Sequence, residues 1–437
     1  LNLPAKNYRK QPEGSTLGTD MQTQLSKLKS TYAEYPKTFW TLATVIFIDK
    51  IGSFLLFPFF ALYVTKKFDV GMTQVGILFA LFSVSSFFGS FIGGALTDRI
   101  GRRSMIIFSL LTSAFSTLAM GFVNTLEAFY IVAIISGVFT DTGGPAYNAI
   151  VGDLLPEKKR ATGFGIIRVA FNISAAIGPA VGGLLAARSY LALFVTDAII
   201  SSIVAVIVYF TIPETKPQLE PGVEQESVGQ SFKGYLRVFR DGAFVLFMLA
   251  STLAWMTYMN MNTTLGVYLR DSQGISEAGY GALISLNAVM VVAFQFWITR
   301  KLERYPAMLM MAAGTLLFSF GFVMYGVFDN YTWFMIAMGI ITVGEMVTVP
   351  IANAEVINFA PEDMRGRYGA VYGLAWGLPF MIGPYLAGLL MDNYNPDWLW
   401  FACGICGVIG TISFLILHRL RTPAEETEIP PAEQQPA

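Results

Sequence analysis

Pro156-Glu-Lys-Lys-Arg160, together with Ile177-Gly178-Pro179-Ala-Val-Gly-Gly183-Leu184-Leu185 downstream, returns later in the chain as Pro361-Glu-Asp-Met-Arg365 and Ile382-Gly383-Pro384-Tyr-Leu-Ala-Gly388-Leu389-Leu390. Every matching position is displaced by 205 residues, without a gap. Upstream, Pro145, Asn148 and Ala149 meet Pro350, Asn353 and Ala354 at the same offset. A register held this long marks an internal duplication, so the chain is read as two copies of one folding unit.

What each copy contains follows from the hydropathy around these stretches. About 20 apolar residues carry a helix across ~30 Å of hydrocarbon. Such runs occur at 38–64, 73–96, 104–123, 127–150, 162–186, 190–212, 242–269, 277–299, 306–327, 331–357, 366–391 and 397–419. The fold class expected is therefore an all-α membrane protein of twelve transmembrane helices in two pseudo-symmetric six-helix bundles. Composition agrees: 54% of residues are hydrophobic and 14% charged, against ~25% charged in soluble domains. The polar stretch 213–241 divides the spans six and six. The expected organisation is an N-terminal segment 1–37, a first bundle 38–212, a linker 213–241, a second bundle 242–419 and a disordered tail 420–437. Residues 1–37 lack the apolar core of a cleaved signal, and with Leu1 at the start Met21 is a candidate initiator.

An even span count puts both termini on one side. Assigning that side to the cytoplasm leaves only Lys66, Lys67, Arg188 and Arg270 of the 29 Lys and Arg outside, with Lys50 and Arg168 within spans. The positive-inside rule thus predicts cytoplasmic termini in a plasma membrane, here a bacterial inner membrane. A net charge of −1, with cations scattered over short loops, argues against nucleic-acid binding. Cys403 and Cys406 lie within an apolar run and His418 is the sole histidine, so neither a metal site nor a hydrolytic triad is expected. The spans hold no nucleophile, base and orienting group together, which speaks against an enzyme.

One polar gap reads Gly94-Ala-Leu-Thr-Asp98-Arg99-Ile-Gly101-Arg102-Arg103. Gly101 permits a tight turn, Asp98 can cap a neighbouring helix, and the three arginines can bridge to carboxylates or lipid headgroups. This loop resembles the motif between spans two and three of the major facilitator superfamily, and the resemblance covers nearly all of 38–421. It implies a gating latch at the cytoplasmic side, with Asp153 as partner and Arg168 nearby as a countercharge for Asp153 or Asp49. The second-half counterpart, Thr299 to Arg304, loses the Asp and the Gly. Gly178-Pro179-x-x-Gly182-Gly183 resembles the family's antiporter seam, where small residues pack helices closely enough to block ion leak. The Arg that antiporters of this family usually carry in span four is absent from Ile134 to Asp141.

Ionised groups in hydrocarbon cost from ~2.5 kcal/mol upward and therefore mark function. Asp49, Asp141 and Glu345 fall near mid-membrane and are the expected proton-coupling carboxylates. Lys50 and Asp141 are expected to form an ion pair in the cavity, leaving Asp49 to titrate. Glu355 suits a gate, and Asp197 is expected at the outer interface. Trp255, Met256, Tyr258, Met259 and Asn262 in span seven, with Phe171, Asn172 and Trp376, make a candidate substrate cavity of aromatic, thioether and amide groups that suits bulky amphiphiles. The function expected is alternating-access secondary transport, as proton-coupled efflux of drugs or lipophilic and amphiphilic small molecules; proton-coupled uptake or symport of a nutrient is the alternative. No cofactor beyond the proton gradient is expected. The expected partners are a small-molecule substrate, protons and membrane lipids, with the chain acting as a monomer.

Overall fold

The computed structural model describes residue 32 and residues 34–215, 236–302, 304–361 and 364–425. The side chains of Asp98 and Asp141, most of the linker and the tail beyond 425 lie outside the described residues. Twelve helices among the described residues are long and apolar enough to cross a membrane. They are α1 (Lys37–Phe68), α2 (Met72–Ile100), α3 (Arg102–Phe122), α4 (Leu126–Leu154), α5 (Glu157–Ala186) and α6 (Tyr190–Thr211). The second set is α7 (Gly242–Thr263), α8 (Glu277–Leu302), α9 (Ala307–Val327), α10 (Tyr331–Phe359), α11 (Arg365–Asn393) and α12 (Trp398–Glu425). The expected all-α membrane architecture is borne out.

Three of these helices are interrupted, each for a local reason. Pro58 lacks an amide hydrogen, and α1 passes through a 3-10 turn at Phe57–Phe59. In α4 a 3-10 turn spans Asp141–Gly143, immediately before Gly144 and Pro145. After Thr263 the chain breaks at Thr264 and resumes as Leu265–Gln273. There Thr264 Oγ1 donates to Asn260 Oδ1 at 2.5 Å, and Asn260 Nδ2 donates to the Met256 carbonyl at 2.9 Å. The Tyr280 hydroxyl of α8 donates to the Met261 carbonyl at 2.9 Å and so replaces a helix hydrogen bond that the break removes.

The two sets of six helices meet at the end away from the chain termini, here called the far face. Gly183 of α5 and Gly281 of α8 face each other so closely that a Cβ on Gly281 would sit 3.1 Å from the Gly183 Cα. Gly76 lies against the backbone of Pro384 and Tyr385, and Gly388 against that of Met72 and Thr73. Polar contacts lock this junction. Asp392 of α11 accepts from the amides of Met72 and Thr73 at 2.9 and 2.7 Å, capping α2 from the other bundle. Glu277 accepts from Tyr190 at 2.7 Å and pairs with Lys66 at 3.5 Å, while Arg270 donates to the Leu62 carbonyl and to Thr65.

Toward the terminal face the same helices separate. Gly165 on α5, Gly94 on α2 and Gly366, Gly369, Gly373 and Gly377 on α11 have open space where a Cβ would point. Below Phe380, α2 and α11 diverge around a crevice of about 530 Å³ edged by Ser83, Phe87, Ser90, Leu374, Gly377 and Met381. Closed at the far face and open toward the terminal face, the molecule is wedge-shaped.

A branched side chain at Gly388 would meet backbone rather than a movable side chain. Gly388→Val should therefore destabilise the far-face closure by about 1–3 kcal/mol. Spin labels at positions 69 and 395, in far-face turns, should then report a longer distance population than in the parent; an unchanged distribution would contradict this assignment of the closed end.

Candidate functional site

The first bundle concentrates its charge on α1 and α6. Lys50 Nζ lies 3.2 Å from Asp49 Oδ2. The four-carbon stem of Lys50 folds back across the ~100° between adjacent helix positions, so Asp49 is not left unpaired. The expected Lys50–Asp141 pair cannot be placed, because the Asp141 side chain is outside the described residues. Arg168 is exposed and joins neither Asp49 nor Asp153 in an ion pair, which departs from the role expected for it.

Asp197 is a correction to the sequence reading. Rather than standing at the outer interface it is 5% exposed, with Thr117, Asp49 and Lys50 close enough to act on its carboxylate. Gly52 of α1 makes this possible: a Cβ there would stand 2.6 Å from Asp197 Oδ1. Counting residues from the helix end concealed this, because depth along a helix says nothing about which neighbour faces the side chain. The usable signal was a glycine on the facing span. The buried hydroxyl of Tyr147 on α4, which also senses Asp49, was missed as well.

In the second bundle Glu345 of α10 accepts from Asn287 Nδ2 at 2.6 Å, and Tyr258 of α7 is a further hydrogen-bond partner. Asn287 also donates to Thr342 Oγ1 at 3.0 Å. All the described partners of this carboxylate are uncharged. Asn287, a lone amide in an apolar span, was overlooked in the sequence. Glu355, 6% exposed, pairs with Arg421 at 2.7 Å nearer the terminal face.

The expected substrate residues divide. Trp376 stacks on Trp255 with centroids 3.8 Å apart, and Tyr258 packs edge-on to both rings. Trp255 is fully buried, so it backs the cavity wall rather than lining it. Met259 and Asn262 are half-buried on the same helix. Met256 instead edges a separate apolar groove of about 420 Å³ between α7, α11 and α12, because one helical step from Trp255 turns it to another face. Phe171 meets Phe54 edge-on at 4.8 Å and is 43% exposed, beside a half-buried Asn172.

At the terminal face the arginine loop contacts its own bundle. Arg102 Nε lies 3.1 Å from Asp153 Oδ2, which also accepts from Thr215 at 2.8 Å. Arg103 rests over the Tyr209 ring, and Arg99 is exposed. Gly101 adopts φ 116°, a conformation that favours glycine. The cap on α3 comes from Glu214, which accepts from the amides of Arg103 and Ser104; the capping expected of Asp98 lies outside the described residues. In the glycine seam, Gly178 and Gly182 abut α1 at Phe54 and Leu55, Gly183 abuts α8, and the Pro179 carbonyl lies against Gly281. The seam therefore joins three helices across both bundles.

Two homologous bundles, a wedge closed at one end and carboxylates held between helices are the marks of a membrane transporter. The chain belongs to the Major Facilitator Superfamily, whose family model matches residues 42–381 and 360–437. It is similar to a Na(+), Li(+), K(+)/H(+) antiporter of Planococcus maritimus, at 27% identity over 86% of this chain and 94% of the relative. It is also similar to the quinolone resistance protein NorA of Staphylococcus aureus, at 23% identity over 89% and 99% of the two chains. Among solved structures, the nucleoside transporter NupG shares the fold with a TM-score of 0.71 at 15% identity, over 87% of this chain and 99% of that one.

Because Asn287 holds both Glu345 and Thr342, Asn287→Ala should cost about 1–3 kcal/mol. Glu345→Gln should cost less, since an amide can still accept one hydrogen bond. Thermal unfolding of the two variants in detergent checks this ranking, and the reverse order would show that the cluster does not depend on Asn287.

Proposed function

We propose that this transporter expels lipophilic or amphiphilic small molecules in exchange for protons, with Glu345 as the principal proton carrier. The supporting observation is the Glu345 cluster. A carboxylate in the membrane whose described partners are all uncharged has no fixed countercharge beside it. A proton is the simplest species that can cancel its charge as the wedge reverses. Asp49, paired with Lys50, then serves as a secondary relay together with Asp141. The relatives support an exchange mechanism: one is a cation/proton antiporter and another a quinolone resistance protein.

The terminal face is the cytoplasmic face in this reading, because nearly all loop Lys and Arg lie on that side. The described state is then open to the cytoplasm, where a drug is collected from the cell interior or inner leaflet. Trp376, Tyr258, Met259, Asn262, Phe171 and Asn172 offer it rings and amides between the two bundles. Arg102–Asp153 and Glu355–Arg421 are the gate elements that reorganise on closing. The working unit is a monomer in the bacterial plasma membrane, driven by the proton gradient without a cofactor.

In proteoliposomes loaded with a fluorescent amphiphile, Glu345→Gln should lower pH-gradient-driven transport by at least tenfold, corresponding to ~1.4 kcal/mol or more, while gradient-free exchange persists. Wild-type driven rates in that variant would exclude Glu345 as carrier. Accumulation of the substrate in step with inward proton flow, instead of exchange against it, would replace antiport by symport.

A further inference from the structure

Within the first bundle, below the junction with the second, lies a cavity of about 190 Å³. One wall is polar: Asp197, Ser53, Ser113, Thr117, Ser136 and Thr140 edge it. The other is aromatic, with Phe57, Phe60, Phe79 and Phe82 from α1 and α2. The last ring, Phe380, comes from α11 of the other bundle. It stacks on Phe57 with centroids 5.7 Å apart and meets Phe79 edge-on at 5.6 Å.

We propose that this cavity is a binding site for the head group of an organic ammonium ion, seated between the Asp197 carboxylate and the phenyl rings and closed by Phe380. The proposal deepens the efflux reading above and rests on it. Asp197 is 95% buried by exposure and, among the described residues, is in no ion pair. Among the described residues, the charged groups that act on it are Asp49 and Lys50, which lie 3.2 Å from each other. A cation is the ligand that its charge selects.

Size and lining decide which cation. Water takes about 30 Å³ in the liquid, so the space matches several waters and greatly exceeds a bare alkali ion. An alkali ion also draws on oxygen donors alone and gains little from five rings. An alkylated or arylated ammonium uses both walls: the carboxylate pairs with its charge, and the ring faces attract it within ~6 Å. A neutral ligand of the same shape would fill the rings but leave the carboxylate uncompensated. Because Phe380 belongs to the other bundle, opening of the far face withdraws the ring and uncovers the site on that side. Occupancy of this cavity is thereby tied to the transport cycle.

The test uses the full-length protein in nanodiscs, at equilibrium and without a proton gradient, titrated calorimetrically with benzyltrimethylammonium. Its uncharged isostere neopentylbenzene, NaCl and LiCl serve as competitors. Saturable binding of the ammonium is expected, with no competition by the isostere and none by sodium or lithium beyond a magnesium chloride control of matched ionic strength. Asp197→Asn should weaken binding by at least ~tenfold. Phe380→Ala, which leaves the packing of Asp197 on Gly52 untouched, should weaken it about threefold or more. Gly52→Ala displaces the carboxylate without removing its charge and should fall between the parent and Asp197→Asn. Equal affinity for the isostere, specific displacement by Na+ or Li+, or unaltered binding in both Asp197→Asn and Phe380→Ala overturns the proposal. Because no gradient is present, a failure of proton coupling at Glu345 leaves this result unaffected, and the two readings fail separately.

Discussion

Hydrocarbon offers no hydrogen-bond partner, and the rest of this structure follows from that constraint. Backbone amides and carbonyls must be satisfied within the protein, which makes every span a helix. Breaks are tolerated only where something else supplies the missing partners. At Thr264 the Tyr280 hydroxyl does so for the Met261 carbonyl; Pro58 and Pro145 bring no amide hydrogen to satisfy. The same rule governs charge. Each described carboxylate discussed within the spans has a partner: Lys50 for Asp49, Thr117 for Asp197, Asn287 and Tyr258 for Glu345, and Arg421 for Glu355.

Lipid tails are as apolar as leucine, so the two bundles gain little from hydrophobic burial against each other. They are held at the far face by contacts that need close approach. Glycines at 76, 183, 281 and 388 allow backbone to meet backbone, and carboxylates at 277 and 392 use the resulting proximity. Glycine contacts of this kind are made or lost over a small displacement, and the helix cap given by Asp392 disappears with them. A junction built this way releases as a unit, which is what a transporter requires of a gate. At the terminal face the described ion pairs, Arg102–Asp153 and Arg421–Glu355, each lie within a single bundle.

The helices and the twofold repeat were legible because they depend on local periodicity and self-similarity, signals that survive in a single chain. Span limits differ from those expected by a few residues, most at the start of α5 and the ends of α7 and α12. Pairing was less legible. Asp49 and Lys50 were correctly placed on one helix, but their mutual contact depends on the flexibility of a lysine stem, which spacing cannot reveal. Asp197 was misplaced because its environment is set by Gly52, 145 positions earlier in the chain. Met256 and Trp255 were grouped together although a single helical step sends them to different faces. Long-range facing, unlike periodicity, leaves little trace in one sequence.

The duplicated halves diverge at the point where their chemistry differs. The 205-residue offset carries Gly52 of α1 to Thr257 of α7, and Asp197 of α6 to Ala402 of α12, next to Cys403. In the first bundle a carboxylate fills the space above a glycine. In the second, Thr257 Oγ1 donates to the Cys403 carbonyl at 3.2 Å, and the seam closes without charge. Conversely, Thr140 in the first bundle corresponds to Glu345 in the second. Among the described residues, the buried Asp197 in one half and the half-buried Glu345 in the other are carboxylates outside any ion pair, at different places in the common scaffold. Two carboxylates in one cavity would share a single electrostatic environment, and a cation bound by one would compete with a proton bound by the other at short range. Separating them between bundles leaves motion of the bundles as the link between the two sites.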